Sequence, residues 1–462
     1  MGKKKTAVVV IHGVGEQRPM DTLTGFVKAV WNEDRGIVEA DRSKTYSKPD
    51  LASGSFELRR ITTRQSSSGK RKRVDFFEFY WAHHMNNHSA STVFSWLAEL
   101  LIRHPDTVPR SLRSIWLASL VIVVFALALS LIHAFVDLPI LVWVPPWIPF
   151  AISTIFPVVV FFWSWKVVPY AGDAARYLSP RPENVAARQK IRREGIALVN
   201  TLTQRDEYDR IVLVGHSLGS VIAYDIVNFM WNGLNKDALQ NAHITPEIMT
   251  ALDKVEGAAL ALINDTSKSI AKRNTYRNTQ RKYFEELQKI AQPLWLISDL
   301  ITLGSPLSKA EFLLAETETD LSNRIDRREF PTSPPKFEQS NTDKERRKFS
   351  YPIESDETRI PHHAAPFSAT VWTNLYFPSK YFLYGDIISG ALSKRFGPGI
   401  RDEKIEIGKP AGFRHTQYWD TKIDAAVRTL RCALNLREDK SEDKIWERKV
   451  IDEQTSISKE NF

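Results

Sequence analysis

Gly215-His216-Ser217-Leu218-Gly219 is the segment whose residue types and spacing point most directly to chemistry. A serine hydroxyl is a weak nucleophile until a neighbouring base takes its proton. It must also stand clear of its own strand. The surroundings of Ser217 suit both needs. Ile211 to Val214 reads as a short buried strand, and Val221 to Met230 has helical spacing. A serine on a sharp strand-to-helix turn is a nucleophile elbow. Such a turn has no room for side chains at its flanks, which accounts for glycine at 215 and 219. Ser217 then sits at a helix N-terminus, where backbone N–H groups can stabilise an oxyanion. The plain alternative is an ordinary strand–helix turn with a surface serine, and the motif's context on both sides argues against it.

A second glycine-rich turn, His12-Gly13-Val14-Gly15, follows the apolar run Ala7 to Ile11. Read as a dinucleotide-binding loop it fails at the third glycine, because that position is Arg18. Together, Val10-Ile-His-Gly-Val-Gly15 and Val214-Gly-His-Ser-Leu-Gly219 resemble the two hallmark segments of α/β-hydrolase lipases and esterases. Ile301-Thr-Leu-Gly-Ser-Pro-Leu307 is similar to a strand-and-loop segment of lipases. The resemblance covers residues 6–31, 183–230 and 294–434. It implies an α/β fold with a mostly parallel sheet between helices. It also implies carboxylic-ester hydrolysis by a Ser-His-Asp acyl-enzyme mechanism, with no cofactor and no metal. The tetrahedral intermediate needs two preorganised donors, each worth a few kcal/mol of barrier. The resemblance assigns these to the N–H groups of Leu218 and Val14.

It further implies the chain order serine, acid, histidine. Of eleven histidines, four follow Ser217: His243, His362, His363 and His415. His243 lies in the stretch directly after the elbow helix. His362 and His363 precede the strand expected at 370–376, so no acid after that strand could come before them. His415 is left as the base. The acid belongs in the loop after the preceding strand, which points to Asp386, with Asp402 as second choice. Glu16 and Arg18 stand beside the oxyanion loop without an assigned role. His83, His84 and His88 include an i, i+4 pair able to bind metal, but no acidic partner completes a recognisable zinc pattern.

The elements that must position these residues are legible as patterns. Leu23 to Trp31 has helical spacing, while Ser55 to Thr63 and Val74 to Trp81 read as strands. Glu183 to Thr203 reads as a helix, and Leu294 to Leu303 is an apolar run. Thr370 to Tyr376 and Lys404 to Ile407 read as late strands, and Asp420 to Leu434 as a terminal helix. Short buried strands alternating with helices require a mostly parallel sheet covered on both faces. The hydrolase core is thus expected over 1–110 and 169–434. It carries a largely helical insertion at 232–292 and a charged, Pro- and Ser-rich loop or lid at 308–365. The charged segment 435–462 reads as a disordered tail.

Residues 111–168 are of another kind. Ser114 to Val136 contains no charged residue, and neither does Leu138 to Trp165. The first run is long enough to span a bilayer, which takes about 20 residues. Trp147 to Trp165, kinked by Pro149 and Pro157, supplies a second span, making a transmembrane hairpin. Arg103, Arg110 and Arg113 precede it and Lys166, Arg176 and Arg181 follow, whereas the connection carries only Asp137. The positive-inside rule then places both termini and the hydrolase core in the cytoplasm.

Composition fits this picture. The 462 residues are 43% hydrophobic, enough for a sizeable core, and the net charge is +9. The positive charge is dispersed among 54 acidic residues, and no basic stripe or nucleic-acid motif stands out, so nucleic acid is not an expected partner. The single cysteine, Cys432, excludes an intramolecular disulfide. Gly2 and Thr6 fit a loose myristoylation pattern, but a solvated basic N-terminus is the simpler reading. The expected partners are a lipid bilayer and a lipid or acyl-ester substrate. Other activities remain open: a thioesterase or amidase on the same triad, or an inactive scaffold serving as a membrane-anchored interaction protein.

Overall fold

The computed structural model describes residues 4–14, 18–34, 37, 45–64, 72–85, 96, 98–109, 112–114, 116–121, 124, 174, 176–179, 181–239, 244–290, 295–338, 348–352, 358–379, 385–406, 412–447 and 449. Its centre is an eight-stranded sheet. In chain order the strands are β1 (Lys5–Ile11), β2 (Thr45–Pro49), β3 (Arg59–Thr63), β4 (Val74–Phe79), β5 (Tyr208–His216), β6 (Ile297–Leu303), β9 (Val371–Tyr376) and β10 (Arg401–Lys404). The spatial order is β10-β9-β6-β5-β1-β4-β3-β2. Strands β4, β1, β5, β6, β9 and β10 are parallel, and β2 and β3 add an antiparallel edge. A separate two-stranded ribbon pairs β7 (Ser350–Pro352) with β8 (Arg359–Pro361).

Helices cover both faces. On one side α1 (Asp21–Val27) and α6 (Asp424–Leu434) pack Leu23, Phe26, Ala426 and Leu430 against Val8, Val10, Val212, Val214 and Ile301. On the other lie α2 (Pro182–Gln204), α3 (Leu218–Gly233), α4 (Pro246–Ile263) and α5 (Ile270–Leu287), around Val9, Leu213, Leu300 and Trp372. Alternate residues of β1 and β5 thus feed two cores. That is why their central runs, Ala7 to Ile11 and Ile211 to Val214, are apolar at every position, not at every second one. Each fully buried Val, Leu or Ile contributes about 1.5–3 kcal/mol.

Register brings the strand ends level. Ile11 lies beside Gly215, Gly215 beside Thr302, His216 beside Leu303, and Leu303 beside Leu375. The turns that follow β1, β5, β6 and β9 therefore leave from one edge, the carboxyl edge of the parallel strands.

Several expectations are corrected. The strand expected at 55–63 begins only at Arg59, and β2, which no pattern suggested, pairs with it at the exposed edge. The strand expected at 404–407 is β10 at Arg401–Lys404. The described parts of 308–365 are no loose lid. Phe349, Ile360, His362 and Ala365 are buried, Trp231 Nε1 donates to His362 O at 3.0 Å, and Tyr224 Oη donates to Pro331 O at 2.9 Å. Within 232–292 the described residues include α4 and α5, which pack on the sheet. Residues 435–447 are no disordered tail either. Ile445 and Trp446 are buried, and the fully buried Glu442 pairs with Arg277 at 2.7 Å and Arg281 at 2.8 Å. Removing one partner of such a buried pair costs about 3–5 kcal/mol, so this segment belongs to the fold. Beyond 447 only Lys449 is described, its Nζ 2.8 Å from Glu403 Oε2.

The hairpin expected over 111–168 lies almost wholly outside the described residues. Of it, 112–114, 116–121 and 124 are described, all helical. Trp116 packs there against Val108 and Phe312, and its Nε1 donates to Leu100 O at 3.1 Å. Among the described residues no helix is long and apolar enough to cross a membrane.

Candidate functional site

Ser217 is the single residue between β5 and α3, at φ 52° and ψ −127°. Few non-glycine residues adopt this backbone, and it costs about 1–3 kcal/mol that the surroundings must offset. The surroundings do so by closing on the turn. Ser217 N donates to Leu303 O at 2.9 Å. A Cβ on Gly219 would fall 2.3 Å from Ile11 O, and one on Gly13 would fall 2.8 Å from the Ser217 Cβ. Glycine at these two positions lets the turn after β1 lie directly against the serine. Gly215 is close-packed in the same way.

From the serine a hydrogen-bonded line runs inward. Ser217 Oγ lies 2.7 Å from His415 Nε2, and His415 Nδ1 lies 2.9 Å from Asp386 Oδ2. With the proton on Nδ1, the histidine donates to the carboxylate and leaves Nε2 to accept from the serine hydroxyl. Asp386 is fully buried and accepts four donors: His415, Tyr418 Oη at 2.7 Å, Ile388 N at 3.0 Å and Ser389 N at 3.3 Å. Burial alone would raise the carboxyl's pKa. The hydrogen bonds from His415, Tyr418 and Ser389 and the His415 charge outweigh it and hold Asp386 below the ordinary carboxylate value.

The structure thus brings Ser217, His415 and Asp386 together and leaves Asp402 out. Asp402 lies within β10. Its Oδ1 accepts from Asn374 Nδ2 at 2.7 Å and Leu392 N at 2.8 Å, and its Oδ2 from Ser393 N at 2.9 Å. That is a loop-fixing role. His362 and His363 lie elsewhere, with His362 Nε2 bonded to Lys336 O at 2.8 Å. His243, Glu16 and His88 lie outside the described residues.

His216 does more than flank the serine. Its Nε2 donates to His415 O at 2.7 Å, and its ring meets Trp419 edge-on at 5.0 Å. Burial, reinforced by His415, lowers its pKa to about 3, so it stays neutral and holds the His415 loop as a plain donor. On the other flank, His12 Nδ1 donates to Gly13 O at 2.8 Å, and burial lowers its pKa to about 4. Trp81 stacks on His12 and donates Nε1–H to His12 O at 3.0 Å, which fixes the turn that carries Val14. Leu218 N–H is the first of α3 and has no acceptor within the helix. Ser220 Oγ donates to Ser217 O at 2.5 Å and accepts from Ser305 Oγ at 2.7 Å, binding the turns after β5 and β6.

Sequence reasoning missed Tyr418, which stands three residues after His415 in the same loop. It also missed Glu78. This carboxyl is buried at the end of β4 and accepts from Met20 N at 2.6 Å. Burial pushes its pKa up to about 7. Its ordinary value is 4.5, so below that it is protonated in both folded and unfolded chain and costs nothing. As pH rises from 4.5 towards 7 the unfolded chain ionises first, and stability is lost across that window. Glu78→Gln is therefore expected to gain stability over the parent, on the order of 3 kcal/mol, at pH 8 but not at pH 4. Urea midpoints measured at both pH values check this, and equal differences at the two would contradict it.

No protein-family model, no curated protein and no solved structure matches this chain.

Proposed function

We propose that the chain is a membrane-anchored serine hydrolase of the α/β-hydrolase fold that cleaves carboxylic esters of lipids. The observation that carries this reading is the line Ser217–His415–Asp386, hydrogen-bonded at 2.7 and 2.9 Å on the carboxyl edge of a parallel sheet. Ser217 Oγ attacks the ester carbonyl while His415 Nε2 takes its proton. The N–H groups of Leu218 and Val14 face the oxyanion. His415 then protonates the leaving alcohol. Water, deprotonated by the same nitrogen, releases the acid and restores Ser217. Asp386 stays ionised and stabilises the imidazolium that forms in each half-reaction.

The lipid substrate is argued from position. Strand β4 runs parallel to β1, and β1 to β5, so the chain after β4 departs from the edge that holds Ser217. The uncharged run beginning at Ser114 comes later in the same connection between β4 and α2, and among its described residues Leu117, Val121 and Val124 are exposed. Phe413, half exposed, stands beside the His415 ring at 5.7 Å. The β2–β3 connection also lies at this edge, because β2 and β3 alternate in direction from β4, and it presents Leu51 and the fully exposed Phe56. An anchor on the catalytic edge holds the mouth of the site toward a bilayer.

Replacing residues 114–168 with a short linker is expected to collapse hydrolysis of long-chain phospholipid or acylglycerol in vesicles, while a soluble short-chain ester is still cleaved. Equal losses on both substrates would remove the lipid reading. Absence of hydrolysis on any ester would remove the enzymatic one.

A further inference from the structure

We propose that His83, His84 and Glu194 form a binding site for a divalent transition-metal ion of the zinc class, separate from Ser217. The two histidines lie in the single 3-10 turn Ala82–Met85 after β4, and Glu194 projects from α2. One donor atom from each converges, and all three lie within 4.8 Å of one another. Glu194 Oε2 is hydrogen-bonded to His84 Nε2 and lies 4.0 Å from His83 Nε2. Zinc bound tetrahedrally at about 2.0–2.1 Å sets its ligand atoms about 3.3 Å apart, so small side-chain shifts would close the site.

The donor chemistry fits. Two imidazoles and one carboxylate are a borderline set that selects zinc-like ions over magnesium or calcium, and three protein ligands leave a position for water. A hydrogen bond between His84 and Glu194 explains that pair alone. It does not explain why the His83 ring, 3.7 Å from the His84 ring, also turns Nε2 toward the same carboxylate. His84 is nearly buried, and His83 is stacked on Tyr80 at 5.6 Å, so both rings are held in place without an ion. Among the described residues the exposed Lys190, a helical turn before Glu194, opposes a cation there, which weakens the site without blocking it. A bound ion would pin the chain leaving β4 onto α2, just beyond Trp81 and its contacts to His12.

The test uses the full chain, stripped with chelator and titrated with Co2+ while visible absorption and bound metal are followed. One ion per chain with the spectrum of a tetrahedral N/O site, displaced by Zn2+, is expected. His83→Ala and Glu194→Gln should each weaken uptake by more than the roughly 10–100-fold that loss of an outer-shell partner costs, since each removes a ligand. Both side chains are about half exposed, so the variants should keep the parent's thermal midpoint without metal. His83→Cys should retain binding and add a thiolate charge-transfer band. His104→Ala, which removes a histidine paired with Asp106 instead, should bind as the parent does. No saturable uptake by the parent, or uptake unchanged in both His83→Ala and Glu194→Gln, overturns the site. None of these readings depends on ester hydrolysis.

Discussion

Ser217→Ala is expected to abolish both fluorophosphonate labelling and ester turnover, with turnover falling by about 10⁶-fold, while the chain stays folded. The size follows from what the hydroxyl does. Without it no acyl-enzyme forms, and only water attack aided by the oxyanion donors remains. Folding should survive because the substitution removes one oxygen and leaves the backbone and the Cβ in place. The turn at φ 52° is held by Ser217 N to Leu303 O and by the close approach of Gly13 and Gly219, none of which uses Oγ. An unchanged unfolding midpoint together with lost labelling is the expected pair of results. Labelling retained in the variant would place the nucleophile elsewhere.

What could be read in the sequence was whatever is local. The elbow needs a strand, a sharp turn and a helix within about 20 residues, and β5, Ser217 and α3 are contiguous. Strand β1 is equally plain, because burial on both faces makes it apolar from Ala7 to Ile11. Exposed or short elements carry no such signal. Strand β2 is Thr-Tyr-Ser-Lys-Pro, polar and solvent-facing, and exists because β3 offers it an edge. Distant pairing was also hidden. Glu442 reads as one more charge in a charged tail until Arg277, 165 residues away, meets it. Glu194 stands 110 residues from His84, so no spacing rule joins them. The course of 308–365 is hidden for a related reason. Its charged and proline-rich composition conceals the few apolar side chains, such as Phe349 and Ile360, that are buried.

The choice between the two carboxylates shows how such a local reading can be tested. Asp386 and Asp402 both lie after β9, and sequence separates them by place: Asp386 follows that strand at a loop's distance, whereas Asp402 stands just before the strand expected at 404–407, on the wrong edge of the sheet. In the structure they do different things. Asp386 gives one oxygen to His415 and Tyr418 and the other to two backbone N–H groups, whereas Asp402 gives both of its oxygens to Asn374 and the start of the helix at 393. Asp386→Asn keeps the shape but presents an amide to the histidine. If the amide N–H faces Nδ1, the imidazole must carry its proton on Nε2, where it cannot accept from Ser217. Turnover is then expected to fall by about 10⁴-fold, the cost of the wrong tautomer and an uncompensated imidazolium. His415→Ala should lose nearly as much as Ser217→Ala, and combining it with Asp386→Asn should add little, because the three groups act as a unit. Asp402→Asn should leave turnover within a few-fold of the parent and lower stability by about 1–3 kcal/mol, since a charged acceptor of three hydrogen bonds is replaced. Turnover and urea midpoints on these variants and the parent decide the matter. Near-normal turnover in Asp386→Asn beside a large loss in Asp402→Asn would mean that the line Ser217–His415–Asp386 is not the one that works.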